Sequence, residues 1–271
     1  MANILIKSFN DTINLIIRFK HIILIIFLIQ IIFLFLVGIN IITTMTPALS
    51  ATKEVLLYVN QLRLDDAALA ENILTGKSVL GDDPLLVQRN YEVVMKFIKL
   101  FVSFSFILFV IFEGFNWALT HHMIKKKTFK HFVSHMIHFC IVSIVYFTAM
   151  GLILYGQLNS LVDNPQLGPR LVLSITLVMI LSYFMLVSYG LLHNKNLLII
   201  IKKTVIIGFY KAYILIPVVI ASVILILLVS LLLFKTAESY LIFTILSIIL
   251  VTSTFIFTRL YFVKLINEME N

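Results

Sequence analysis

Residues 22–44 read "IILIIFLIQIIFLFLVGINIITT". No charged side chain interrupts the run, and its apolar residues do not alternate with polar ones. A strand with one face in water or in a pore would alternate, so the reading is a helix. About 20 helical residues cross a hydrocarbon core of roughly 30 Å, and this run is long enough. Five more runs of the same kind follow, at 97–119, 136–155, 171–191, 213–234 and 241–263. The fold class expected is an all-α, polytopic membrane bundle with six transmembrane helices, a single membrane domain over residues 1–271.

Composition agrees. The 271-residue chain is 61% hydrophobic and only 13% charged. Soluble domains carry about 25% charged residues, so the excess apolar material faces lipid. The net charge of +8 could suggest nucleic acid, but its placement points to a membrane surface. Lys7, Arg18 and Lys20 precede the first run, Lys125, Lys126, Lys127 and Lys130 join the second to the third, and Lys195, Lys202, Lys203 and Lys211 join the fourth to the fifth. The other side has Arg170 and Lys235 in its short loops. Its long loop carries Glu54, Asp65, Asp66, Glu71, Asp82, Asp83 and Glu92 against Lys53, Arg63, Lys77 and Arg89. The positive-inside rule then places both termini in the cytoplasm of a cell whose plasma membrane holds the chain. Lys96 and Lys99 break the pattern, at the outer end of the second run, where long stems can snorkel to headgroups. The expected partners are anionic headgroups on the cytoplasmic side and other membrane chains or a second copy, not nucleic acid.

"TPALSA" after the first run offers small residues like those of a cleavage site. The apolar run is too long for a signal peptide, and the reading is a retained span. Residues 46–95, of helical composition, are expected to form a small helical cap on the extracytoplasmic face between the first and second spans. Gly76 is a plausible stop, Asp83 an N-cap and Pro84 a first helical residue leading unbroken into the second span. The pairs Asp65–Asp66 and Asp82–Asp83 could attract a cation. Capping and a solvated surface explain them more simply, since no EF-hand spacing is present.

Spans one, three and five each follow a basic, amphipathic stretch: "ILIKSFNDTINLIIRFK", "IKKKTFKHFVSH" and "NLLIIIKKTVIIGFYK". Each could lie in the interface before turning into its span. Lys20, His135 and Lys211 then occupy comparable places in three units of interfacial helix plus hairpin. This arrangement resembles several uncharacterised multi-pass membrane families of archaea and bacteria, and loosely the membrane domain attached to some glycerophosphodiester phosphodiesterases. The resemblance implies a prokaryotic membrane domain. It carries no diagnostic motif and therefore no active residue.

No Gly-rich phosphate loop, G-x-S-x-G elbow or H-E-x-x-H helix occurs, and the single cysteine, Cys140, excludes an intramolecular disulfide. No cofactor is implied. Glu113, in "VIFEGFNWAL", lies about two turns inside the second span, with Asn116 on the same helix face. Arg259, in "FIFTRLYF", sits at similar depth in the sixth. A carboxylate there costs a few kcal/mol unless paired, protonated or hydrated. Pairing of Glu113 with Arg259 is expected, as interhelical glue or as the lining of a polar pathway. Pro217 could kink the fifth span, and hydroxyl stripes at Ser182, Tyr183, Ser188 and Tyr189 and at Thr252, Ser253, Thr254 and Thr258 line the fourth and sixth.

Five histidines crowd "HHMIKKKTFKHFVSHMIH", residues 121–138. His131, His135 and His138, spaced four and three apart, share one helix face and are the candidate metal ligands. Membrane di-iron oxygenases and desaturases resemble this in using cytoplasmic histidines, but they use several clusters. The plainer reading is interfacial histidines beside headgroup-binding lysines, and a pH switch is a third. His121 and His122 read as connector residues. Three functions stay open: a non-catalytic subunit or scaffold of a membrane assembly, favoured because catalytic motifs are missing; a small-solute or lipid permease using Glu113 and Arg259; and a cytoplasmic-face metalloenzyme acting on lipid.

Overall fold

The computed structural model describes residues 2–61, 85–125, 129–163, 168–194, 196–236 and 241–270. These residues are helical almost throughout, with no strand among them. In order they form α1 (Ala2–Arg18), α2 (Lys20–Gln61), α3 (Leu86–Leu108), a π-helical turn (Phe109–Glu113), α4 (Gly114–Lys125), α5 (Phe129–Asp163), α6 (Gly168–Gly190), α7 (Leu197–Tyr210), α8 (Ala212–Thr236) and α9 (Leu241–Glu270). Six helices are long and apolar enough to cross a membrane: α2, the continuous Leu86–Lys125 helix, α5, α6, α8 and α9.

The chain divides into two compact units, one of residues 1–31 and 110–271, the other of residues 32–109. The smaller unit is a pair of long helices. A polar clasp joins them at Asn40, whose amide donates to Ser105 Oγ at 2.8 Å and to the Phe101 carbonyl at 3.2 Å. The helix of the first span does not stop at residue 44. It runs through Pro47 to Gln61, 42 residues in all, or about 63 Å at 1.5 Å per residue. The two ends of the 46–95 insertion are thus extensions of α2 and α3. Asp65, Asp66, Gly76, Asp82, Asp83 and Pro84 lie outside the described residues, so the cap, its capping residues and its acidic pairs are not placed.

In the larger unit, α1 is a separate helix joined to α2 through the single residue Phe19. It packs antiparallel along α9. Lys7 reaches Glu268 at 2.8 Å, Asp11 reaches Lys264 at 3.0 Å, and the Phe9 ring lies 5.5 Å from that of Phe257. The Glu268 carboxylate holds the Lys7 ammonium above its ordinary lysine value. The face of α1 turned away from these contacts exposes Ile6, Ile13 and Ile17. Likewise α7 is a separate helix, joined to α8 at Lys211. It packs on α6 through the Thr204–Ser188 hydroxyl pair at 3.0 Å and through Tyr183, whose hydroxyl donates to the Gly208 carbonyl at 2.8 Å. The middle basic stretch behaves differently, because α5 runs unbroken from Phe129 into its span. Pro217 sits inside α8 without ending it.

Burial is greatest where α4, α6 and the last turns of α9 meet. Leu260, Val263, Leu265 and Ile266 are fully buried, as are Val187, Leu191 and Leu192. Close approach depends on Gly190, where any Cβ would collide with the Cδ1 of Ile266.

Candidate functional site: a buried polar network in the larger unit

The π-helical turn inserts one residue into the Leu86–Lys125 helix, so residues after it are rotated relative to those before. Glu113 closes that turn. Its Oε2 accepts from Arg259 Nη2 at 2.6 Å, and the two side chains are 10% and 6% exposed. The same Nη2 donates to Gln30 Oε1 at 3.2 Å, and Asn116 Nδ2 donates to that oxygen at 2.9 Å. Arginine can only donate, which fixes the Gln30 oxygen as the acceptor and Asn116 as the second donor. Gln30, Asn116, Glu113 and Arg259 thereby tie α2, α4 and α9 together. The Arg259 guanidinium carbon lies 5.7 Å from the centre of the Trp117 ring, within cation–π range. Arg259 Nη1 and Asn116 Oδ1 have no hydrogen-bond partner among the described residues.

A second layer follows toward the C-terminal end of α9. Tyr189 stacks on Phe139, with centroids 4.4 Å apart, and its hydroxyl lies 2.8 Å from Ser143 Oγ. Ser188 bonds Tyr146 at 3.2 Å. The hydroxyl stripe of α6 thus joins it to α5 and α7. In α9, Thr254 and Thr258 instead donate back to their own helix, at Leu250 and Thr254.

The histidines are regrouped. His121, read from sequence as a connector, is fully buried. Its ring centre lies 5.4 Å from that of His135 and 5.8 Å from that of His193. His121 Nε2 is 2.8 Å from the Tyr189 carbonyl, which can only accept, so that nitrogen carries the proton. His193 Nε2 lies 2.7 Å from Glu270 Oε2, and Lys203 pairs with Glu270 Oε1 and donates to Asn194 at 3.3 Å. His138 is half-buried beside the Leu192 backbone, and His131 is half-buried on the same helix. Among the described residues no three His, Cys, Asp or Glu side chains are arranged to hold a metal ion, the His131, His135 and His138 face included. Lys125 and Lys202 are exposed. Lys126 and Lys127 fall outside the described residues, and so does the side chain of Lys130.

Sequence reasoning passed over Gln30 and Glu270, and it read His121 as a connector residue and His193 as an isolated histidine at a cytoplasmic helix end. Gln30 carried a usable signal as an amide inside an otherwise apolar span. The others meet only through tertiary packing.

Fold and network together define a helical protein whose six apolar helices suit a membrane and whose larger unit encloses a buried polar network. No family model, curated protein or solved structure matches the chain.

Proposed function

We propose that the chain is a non-catalytic subunit or scaffold of a membrane assembly, held in a prokaryotic plasma membrane with both termini cytoplasmic. The observation that carries this reading is the length of the hairpin in the smaller unit. Helix α2, at about 63 Å, exceeds a hydrocarbon core of roughly 30 Å by a factor of two. The parts that would project, residues 46–61 and 85–95, expose large apolar side chains among their polar ones. Leu49 is 68% exposed, Leu56 58% and Leu85 61%. Apolar surface of this kind outside lipid marks a protein contact. On the opposite side, Lys125 and Lys202, with Lys126, Lys127 and Lys130 by sequence, meet anionic headgroups. Extraction with a mild detergent followed by native mass measurement tests the reading. A stoichiometric complex with another membrane chain, or a defined homo-oligomer, supports it. A monodisperse monomer carrying only lipid contradicts it.

One observation favours a permease as a second reading. Among the described residues Arg259 Nη1 and Asn116 Oδ1 have no partner beside a buried carboxylate, as they would if a polar guest passed there. Solute uptake into proteoliposomes that Glu113→Gln abolishes would favour it, and uptake indifferent to that change would remove it. Among the described residues no arrangement of side chains favours a metalloenzyme.

A further inference from the structure

Lys96 and Lys99 are the two cations that the positive-inside pattern leaves unexplained, and the structure gives them a setting. They line a groove of about 530 Å³ on α3 together with Tyr91, Glu92, Met95 and Leu100. Glu92, Lys96 and Lys99 follow one another at i, i+4 and i+7, so they stand on one face of the helix. The groove straddles the point where α3 changes character. On one side the chain reads "QRNYE", and on the other it reads "LFVSFSFIL". Beyond the groove the apolar Leu100, Val102 and Ile107 are exposed, as lipid-facing residues are. Such a boundary is where lipid headgroups lie, and tyrosine is enriched there.

We propose that this groove binds the headgroup of a phosphatidylethanolamine-type phospholipid. Lys96 and Lys99 take the phosphodiester, Glu92 takes the amine, and the acyl chains run along Leu100, Val102 and Ile107. The charges decide the class. Two ammonium groups beside one carboxylate complement a headgroup carrying a negative phosphodiester and a positive amine. A purely anionic headgroup would meet Glu92 as a like charge. A neutral diacylglycerol would leave all three charges without a counterpart. The run from Lys125 to Lys130 lacks this pattern, since it contains no acid, and it serves any anionic surface. With the orientation proposed above, the groove faces the outer leaflet. The binding chemistry does not depend on that orientation, nor on whether the chain is a subunit or a permease.

Native mass spectrometry of the full chain tests the inference, using phosphatidylethanolamine, phosphatidylglycerol and diacylglycerol of matched acyl chains. Phosphatidylethanolamine is expected to bind most tightly and diacylglycerol least. Lys96→Gln with Lys99→Gln is expected to weaken phosphatidylethanolamine binding roughly 25-fold, about five-fold for each lysine. Lys96→Arg with Lys99→Arg keeps the charge and is expected to retain binding. Glu92→Gln is expected to shift the preference to phosphatidylglycerol. All these side chains are exposed, and an unchanged elution volume and helical circular dichroism show that each variant is folded. The proposal is overturned by equal binding of diacylglycerol, by a wild-type preference for phosphatidylglycerol, or by a lysine double variant that binds as the wild type does.

Discussion

Removing Arg259 alone should cost far more than removing it together with Glu113. In Arg259→Met the Glu113 carboxylate stays where the structure places it, 10% exposed and shorn of the Arg259 cation. Breaking one partner of a buried pair costs about 3–5 kcal/mol, and Glu113→Leu should cost about as much because it strands the guanidinium. The double variant Glu113→Leu, Arg259→Met removes both charges and leaves the Asn116–Gln30 bond standing. Apolar replacement of a buried pair is often neutral, so its cost should be at most about 1 kcal/mol. The coupling energy should then be about 5 kcal/mol or more in magnitude, above the usual range for residues in contact. Gln30→Leu calibrates the scale. It loses two interhelical bonds at roughly 0.6 kcal/mol each, so about 1 kcal/mol in all. Unfolding in mixed micelles by an anionic detergent supplies the assay. Trp117 is the only tryptophan, and its ring lies under Arg259, so its emission reports this layer. Helical circular dichroism supplies a probe independent of the substituted site. A single variant that loses under 1 kcal/mol, or a double variant as unstable as the singles, would falsify the view that the pair holds α2, α4 and α9 together.

Three further outcomes are expected. Gly190→Ala should destabilise by about 1–3 kcal/mol, because its Cβ meets the buried Ile266 Cδ1, and Ile266→Val should restore much of the loss in the double variant; thermal melts that rank the double variant with the single one contradict the packing. His121→Phe keeps a ring of similar shape but leaves the Tyr189 carbonyl without its side-chain donor, at a cost of about 1–3 kcal/mol and with a changed Trp117 emission; an unaltered melt and spectrum would refute a structural part for His121. Asn40→Leu should weaken the α2–α3 pair by about 1 kcal/mol while leaving Trp117 emission unchanged, and a Trp117 shift would show that the two units are not separable as drawn.

The six apolar helices were legible because a membrane span needs only length and apolarity, and both are local properties of the chain. Helix ends were less so. Nothing in residues 45–61 forbids helix, and Pro47 is tolerated inside α2, so the first helix outruns the apolar stretch that announced it. Glu113 and Arg259 were conspicuous because a charge inside an apolar run is rare and costly. Gln30, the acceptor that receives both Arg259 and Asn116, carried the fainter signal of a neutral amide in an apolar span. The histidines show the limit of spacing arguments. Helical periodicity can place His131, His135 and His138 on one face, but it cannot bring in partners from other helices. His121, His135 and His193 come from α4, α5 and the turn after α6, and Glu270 comes from the end of α9. Only the packing of four elements makes them neighbours. The same holds for the repeat. A basic stretch precedes three spans, yet the chain breaks at Phe19 and Lys211 and not within the start of α5.

The assembly reading meets its most direct test in site-specific photo-crosslinking in cells. A photoreactive phenylalanine is placed at Leu56 or Leu85 on the projecting hairpin, and at Leu227 or Phe234 on the apolar surface of α8. Leu56 and Leu85 are expected to give one discrete protein adduct of fixed mass, while Leu227 and Phe234 give lipid. Lipid or no adduct at all four positions would contradict a partner on the hairpin.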